Sequence, residues 1–129
     1  MPTEARWEKA ARGTDGRGYR CGNIWDWEKL QCSHISWGDA GSTAPVGSFP
    51  RGASPNRALN MAGNAWEWCA DWYDQSYYKT APARNPPGPE AGGRRVARGG
   101  CWVIPAGWVP GRSVGANYFR SQSRRSCSG

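Results

Sequence analysis

The chain has 129 residues, which is enough for one domain and too few for two of ordinary size. Its 18 glycines, 10 prolines and 9 tryptophans exclude a leucine-packed helical bundle and indicate an aromatic, loop-rich core, while its formal net charge of +7 leaves an anionic partner open. No apolar run approaches the roughly 20 residues of a membrane span, so no membrane association is expected.

The first predicted element is a short helix over residues 3–13. Thr3 can cap its start through the side-chain hydroxyl, and Gly13 can end it in a backbone conformation that other residues avoid. Trp7, Ala10 and Ala11 lie at helical spacing and would share one buried face.

Residues 14–59 are expected to be irregular, because turn signals such as Asp15-Gly16 recur throughout the segment. So long a loop needs internal anchors in a compact domain. Trp25, Trp27 and Trp37 are the predicted anchors, as buried aromatic side chains.

The stretch NMAGNAWEWCADWY, residues 60–73, has the clearest pattern in the chain. A turn broken by glycine leads into alternating residues, which predicts a strand over residues 65–73. The face with the bulky rings is expected to be buried, because such rings need a partner surface. That face consists of Trp66, Trp68, Ala70 and Trp72, and the opposite face of Glu67, Cys69, Asp71 and Tyr73.

Two further segments complete the chain. A loop over residues 74–93 precedes a predicted short strand at residues 95–98, which ends at Gly99-Gly100. The tail, residues 101–129, has little periodicity. One short helix, few strands and long loops together predict an α+β domain.

The five cysteines and the single histidine limit the available chemistry. Because five is an odd number, at least one thiol is unpaired within the chain; the pairing among Cys21, Cys32, Cys69, Cys101 and Cys127 stays open. No CxxC spacing occurs and His34 is the only imidazole, so neither a structural zinc site nor a Ser-His-Asp or Cys-His catalytic arrangement is expected. A mostly reduced, cytoplasmic protein is favoured, and no signal peptide is visible.

Four blocks in order carry a family resemblance: PTEARWEKAARG at 2–13, STAPVGSFP at 42–50, NMAGNAWEW at 60–68 and RVARGGCW at 95–102. They resemble the formylglycine-generating enzyme/sulfatase-modifying-factor superfamily. The resemblance implies one C-type-lectin-like domain over residues 1–129, of the elaborated, loop-rich kind. The family has an earlier strand and helix, so the first elements are expected to be missing here.

The resemblance also implies a structural calcium ion. Carried over position by position, its ligands would be Asn60, Gly63, Ala65 and Glu67, and such amide, carbonyl and carboxylate oxygens suit calcium. The alternative is that Asn60 and Glu67 only satisfy turn amides. For a second family ion site Asp39 is present but the Asn is absent, and that site is not predicted.

The founding activity of the family requires two cysteines that bind copper shortly after the Arg-Gly-Gly block. They would fall near Ile104 and Val109, neither of which is a thiol, and Cys101 stands where the family usually has Ser. Two soft thiolates are what copper(I) requires. No copper is therefore expected, and the chain is not expected to generate formylglycine; an enzyme or accessory protein with altered chemistry remains the alternative.

The tail indicates a binding role. Target proteins of diversity-generating retroelements share this fold, and adenine mutagenesis of their Asn codons cannot produce Lys, Glu, Gln, Met or Trp. Residues 101–129 contain no Lys, Glu or Met, although Trp102, Trp108 and Gln122 are exceptions. The resemblance thus implies a variable protein without catalysis; an ordinary, diverged family tail is the alternative.

The predicted ligand-binding residues are Val103, Ile104, Trp108, Asn117, Tyr118, Phe119, Arg120 and Arg124. Rigid aromatic rings and arginines suit recognition of a protein or another macromolecule. Nucleic acid is not the expected partner, because the basic residues form no recognised motif. A surface or phage-associated location, by a route that this chain does not show, is the alternative to the cytoplasm.

Overall fold

The computed structural model describes residues 1–14, 26–33, 41–104 and 117–119. In these ranges the chain forms one α-helix and three strands, together with 3-10 turns at Trp27–Lys29, Pro50–Gly52 and Tyr77–Lys79. The helix is α1 (Glu4–Arg12), and the strands are β1 (Glu67–Trp72), β2 (Arg95–Arg98) and β3 (Asn117–Phe119). The α+β prediction is confirmed.

Helix α1 has the predicted ends. The Thr3 hydroxyl accepts a hydrogen bond from the Arg6 amide, and Gly13 adopts a φ of 69° while its amide donates to the carbonyl of Lys9. Trp7 and Ala11 are buried as predicted. The local capping signals were sufficient to locate this helix.

The three strands form one antiparallel sheet in the order β1-β2-β3. Glu67 lies opposite Arg98 and Trp72 lies opposite Arg95, with a shift of register between Trp68 and Trp72. Such an irregularity bends a strand and changes the direction of its side chains. Strand β3 pairs along β2 and was not predicted from the tail.

The core consists of two clusters. One lies between α1 and the sheet. The other joins the residues just after the 3-10 turn at Trp27–Lys29 to the chain that follows β2. The first contains Trp7, Ala11, Met61, Cys69 and Val96, and the second Leu30, Cys32, Cys101 and Ile104.

The predicted orientation of β1 is wrong. Trp68 is 39% exposed, whereas Cys69 is fully buried and Asp71 is 3% exposed. The buried face is the one that α1 covers, and the small Cys69 side chain fits beneath the Trp7 ring in the first cluster. Trp72 is half-buried, and the guanidinium of Arg95 covers part of its ring, at 3.7 Å from the centroid.

The long loop is tied to residues 60–65 by Asn64. Its side-chain oxygen accepts from the Ala44 amide at 2.8 Å, its side-chain nitrogen donates to the Ala44 carbonyl at 3.1 Å, and its backbone amide donates to Gln31. The predicted tryptophan anchors lie outside the described side chains. Within the described ranges, no helix is long and apolar enough to span a membrane.

Candidate functional site

The turn that precedes β1 has an unusual backbone. Asn60, Gly63 and Asn64 have φ values of 55°, 71° and 63°, in the left-handed region that glycine and asparagine tolerate best. Gly63 has a second reason to lack a side chain, because a Cβ there would lie 2.2 Å from the carbonyl oxygen of Gln31. The sequence thus builds a tight turn whose left-handed backbone glycine and asparagine adopt most readily.

Two of the four predicted calcium ligands, Gly63 and Ala65, lie beside Gly99, and a third, Glu67, is connected to the same place through Trp7. The Gly63 amide donates to the Gly99 carbonyl at 2.8 Å, and a Cβ on Gly99 would lie 3.6 Å from the Ala65 carbonyl oxygen and 3.7 Å from the Trp7 ring. The indole N–H of Trp7 in turn donates to Glu67. Residues 63, 65 and 67 therefore border the same corner of the domain.

Asn60 is the fourth predicted ligand. It is half-buried, and no hydrogen-bond partner for its side-chain amide occurs among the described residues. Its left-handed backbone starts the turn. The Glu67 carboxylate accepts a side-chain donor, the indole N–H of Trp7, and not a turn amide in this contact.

The donor set can be tested against calcium by its chemistry. The predicted ligands are an amide oxygen, two backbone carbonyls and one carboxylate, all of them hard oxygens. A carboxylate has about four lone-pair sites, so the bond from Trp7 leaves Glu67 capable of binding an ion. Among the described residues, no group of three or more His, Cys, Asp or Glu side chains has an arrangement that could hold a metal ion, so backbone oxygens would have to contribute.

The predicted ligand-binding tail is only partly described. Val103 is half-buried, and Ile104 is 7% exposed within the second core cluster. The prediction for Ile104 is therefore corrected: its side chain packs beside Leu30 and Cys32, because the chain after β2 folds back over the loop. The backbone of residues 117–119 forms β3, whereas residues 108, 120 and 124 lie outside the described residues.

The described cysteines, Cys32, Cys69 and Cys101, are buried, and no disulfide joins them to one another. Burial raises the pKa of the Cys69 thiol to about 12. A thiol with such a pKa stays protonated near neutral pH and is a poor nucleophile and metal ligand. Cys69 thus has a structural role in the first core cluster.

A buried polar cluster lies where α1 meets the sheet, and sequence reasoning missed it. Arg98 contacts Glu4 through Nε at 3.0 Å and Glu8 through Nη2 at 3.2 Å. The hydroxyl of Tyr78 donates to Glu4 Oε2 at 3.0 Å, and the Glu4 amide donates to Asp71 Oδ2 at 2.6 Å. No local sequence pattern predicts these contacts, because the partners are far apart along the chain.

Burial dominates the electrostatics of this cluster. It raises the pKa of Glu4, although Arg98 and the hydrogen bond from Tyr78 act in the opposite direction. Burial and the neighbouring Glu4 likewise raise the pKa of Tyr78. Three members of the cluster, Glu4, Asp71 and Tyr78, line a cavity of about 140 Å³, which Tyr77 also borders.

The chain is similar to several known proteins. It is 41% identical over 119 residues to the formylglycine-generating enzyme of Streptomyces coelicolor, and this match covers 80% of the present chain and 36% of that enzyme. It is 43% identical over 106 residues to the serine/threonine-protein kinase pkn1 of Chlamydia caviae, covering 79% of this chain and 16% of that protein. The chain thus spans about a third or less of the length of these relatives.

A solved structure shows the same similarity. PvdO from Pseudomonas aeruginosa superposes with a TM-score of 0.69 at 25% identity, over 95% of this chain and 47% of PvdO. The family described as the sulfatase-modifying factor enzyme 1-like domain matches residues 1–128. Since that match includes all four sequence blocks and nearly the whole chain, the protein belongs to the sulfatase-modifying factor enzyme 1-like domain family.

Proposed function

We propose that this domain is a binding module without catalysis, in which a calcium ion holds the turn before β1 and the C-terminal segment presents a ligand-binding surface. The observation that carries the proposal is the residue at position 104. Where the resemblance would put the first copper-binding thiol, the chain has Ile104, packed in an apolar cluster. An aliphatic side chain in the core can neither bind copper nor transfer electrons.

The relatives support a scaffold that serves different roles. A formylglycine-generating enzyme and a protein kinase share this domain, and one fold can carry unrelated functions at different sites. The whole protein's activity therefore cannot be transferred from the domain alone. The loss of the thiol position and the retention of the turn favour binding over oxidation.

The C-terminal segment has an anchor that suits presentation. Strand β3 pairs antiparallel with β2, and β2 packs Val96 into the core. A segment fixed at two points, residue 104 and β3, can hold side chains between them at low entropic cost. The proposed surface consists of Val103, Trp108, Asn117, Tyr118, Phe119, Arg120 and Arg124, and Ile104 is excluded from it.

Tolerance of substitution tests whether the tail is a variable surface. Trp108→Ala and Arg124→Ala are expected to leave the thermal midpoint nearly unchanged, because such a surface must accept many side chains. Ile104→Ala, the matched core control, is expected to cost about 2–5 kcal/mol of the free energy of unfolding. If the tail variants lose as much as Ile104→Ala, the tail is structural and the proposal fails.

The origin of the variation has a genetic test. As a retroelement target, the gene is expected to lie beside a near-copy of its tail-coding segment and a reverse transcriptase. The absence of both from the flanking DNA would remove the mutagenesis from the proposal and leave an invariant binding domain.

The second candidate is a formylglycine-generating-enzyme-like oxidoreductase or accessory protein, favoured by the 41% identity to such an enzyme. It predicts stoichiometric copper or iron after purification and oxidation of a cysteine-containing peptide. The binding proposal predicts neither. Metal analysis with that peptide assay, run beside a copper-loaded formylglycine-generating enzyme, separates the two.

A further inference from the structure

A second candidate binding place lies apart from the turn at residues 60–65, none of which lines it. It is the cavity of about 140 Å³ between the start of α1, the end of β1 and the turn at Tyr77–Lys79. Its walls combine three carboxyl side chains with several aromatic rings. The relevant residues are Glu4, Asp71, Asp74, Tyr73, Tyr77 and Tyr78, and among the described residues that line the cavity there is no Lys, Arg or His.

Asp71 is the least compensated group in this wall. It is 3% exposed, and its Oδ2 accepts the Glu4 amide at 2.6 Å. Its Oδ1 is buried and has no hydrogen-bond partner among the described residues. A Cβ on Gly88 would lie 2.5 Å from this oxygen, so the backbone there covers it. A buried acceptor without a partner is unfavourable, and a nearby positive charge would offset that cost.

Two neighbouring cations do not neutralise the wall. Arg95 stacks on the ring of Trp72, which also lines the cavity, so two guanidiniums stand against three lining carboxylates and Glu8. Arg98 contacts both Glu4 and Glu8, so its single positive charge is already shared by two carboxylates. The negative charge of Asp71 comes in addition to theirs. Asp74 adds a further negative charge on the exposed side, where it accepts hydrogen bonds from Ser76. The surplus charge facing the cavity is therefore negative.

The tyrosines contribute ring surface more than hydrogen bonds. The hydroxyl of Tyr78 is engaged by Glu4, and that of Tyr77 accepts from the Gly88 amide at 3.0 Å. The two rings meet edge to face with centroids 5.2 Å apart. Aromatic rings with nearby carboxylates attract organic cations.

The occupied lone pairs decide which cation fits. Both Glu4 oxygens and Asp71 Oδ2 already accept a hydrogen bond or an ion pair, and the backbone at Gly88 covers Asp71 Oδ1, so a primary ammonium would find no fully open acceptor on these two carboxylates. A metal ion would need six or more oxygens, which this aromatic wall does not offer. An ammonium whose nitrogen is alkylated needs charge and ring surface but no acceptor. A cavity of 150 Å³ admits benzene, so this one suits a head group of that size.

We propose that the cavity lined by Asp71 and the tyrosines at 73, 77 and 78 binds a small methylated ammonium group, either a free ion or the end of a methylated lysine side chain. None of these residues belongs to the C-terminal segment, so this inference does not depend on the function proposed above.

The test is an NMR titration of the full chain with tetramethylammonium chloride at constant chloride concentration. Saturable shifts are expected for the ring protons of Tyr77 and Tyr78. The neutral probe tert-butanol is expected to bind about tenfold more weakly or not at all. No saturation with tetramethylammonium, or equal binding of the neutral probe, would overturn the proposal. A peptide with trimethyllysine distinguishes the sources: binding weaker than that of the free ion assigns the site to a small molecule, and tighter binding assigns it to a protein partner.

Variants locate the site. Asp71→Asn keeps an acceptor for the Glu4 amide but removes the charge, and it is expected to weaken binding about tenfold. Glu28→Gln removes an exposed charge on the distant 3-10 turn and is expected to have no effect. Equal weakening by both would reduce the effect to general charge screening and refute the site. Should Asp71→Asn not fold, Tyr77→Leu, at a half-exposed turn position, must abolish the shifts while Tyr77→Phe retains them.

Discussion

The indole N–H of Trp7 donates a hydrogen bond to Oε2 of Glu67 across 2.5 Å, joining α1 to the first residue of β1. Trp7 is only 2% exposed, so this contact fixes the Glu67 carboxylate from the interior side. A ligand held in place before it binds an ion loses less conformational entropy on binding. The helix thus prepares one wall of the proposed calcium site.

Calcium is expected to raise the thermal midpoint relative to the same protein in EDTA. At a free concentration of about 100 times Kd, the gain would be about 2.7 kcal/mol in the free energy of unfolding. Glu67→Gln and Asn60→Gly are expected to remove most of this gain, and glycine keeps the left-handed backbone at position 60. Exposed Glu90→Gln serves as the charge-matched control. A midpoint insensitive to calcium, or a gain that survives Glu67→Gln, would contradict the site.

Replacement of Arg98 by methionine is expected to cost about 3–5 kcal/mol of the free energy of unfolding, because it leaves Glu4 and Glu8 without their buried cation. Arg51→Met is the control, since that side chain is 64% exposed and its ion pairs with Asp26 and Glu28 should contribute less than about 1 kcal/mol. Urea unfolding of the three proteins measures both losses. Similar losses in the two variants would show that the buried cluster is not specially dependent on its arginine.

The stability of the domain is expected to depend on pH through Glu4. Burial raises the pKa of Glu4 above its ordinary value of 4.5, so the folded protein binds this proton more tightly than the unfolded chain does. The Glu4 contribution to stability therefore increases as pH falls through the raised pKa and levels off below the ordinary one. Glu4→Gln should remove this dependence. Tyr78→Phe removes a hydrogen bond that lowers the pKa, so it should move the dependence to higher pH.

Urea unfolding across mildly acidic to neutral pH, for the parent and both variants, provides the measurement. Hydrogen bonds from the Ser76 side chain and backbone lower the pKa of Asp74, which acts in the opposite direction. Asp74 is present in all three proteins, and differences between them isolate Glu4. An unchanged pH dependence in Glu4→Gln would refute this assignment.

Two glycines are expected to respond differently to alanine. Gly63→Ala would force a Cβ to 2.2 Å from the Gln31 carbonyl oxygen at a φ of 71°, and should cost more than about 2 kcal/mol. Gly93→Ala meets nothing within 4 Å and should change stability by less than about 1 kcal/mol, in the stabilising direction if at all. Thermal melting of both variants checks the contrast. A tolerated Gly63→Ala would mean that the turn can relax away from Gln31.

Local sequence signals correctly predicted those element ends that depend only on residues close together in the chain. Thr3 and Gly13 placed the ends of α1, and the paired glycines at 99 and 100 placed the end of β2. Strand β3 could not be predicted, because three residues in a polar tail are ordered only by pairing with β2. Side-chain size misassigned the face of β1, since burial there depends on where α1 packs and not on which residues are largest.

For the candidate sites too, features set by neighbouring residues were predicted, and features set by residues distant in sequence were missed. The turn at 60–65 follows from residues that tolerate left-handed backbone, and the resemblance named its ion ligands. The role of Asn64 was missed, because its partners Ala44 and Gln31 come from a loop without a pattern. The acidic cavity was missed as well, since Asp71 and Glu4 are 67 positions apart.

That separation determines the order in which this domain can assemble. Helix α1 has nine residues, fewer than the roughly 12–15 that an isolated helix needs in water. Its first amide is bound by Asp71, and Pro2 just before it accepts the amide of Ala70. Helix α1 precedes β1 along the chain, yet the groups that bind its first turn are not available until β1 has been synthesised. A peptide that ends before β1 is therefore expected to leave the α1 segment a coil, and the helix forms only once it can pack on that strand.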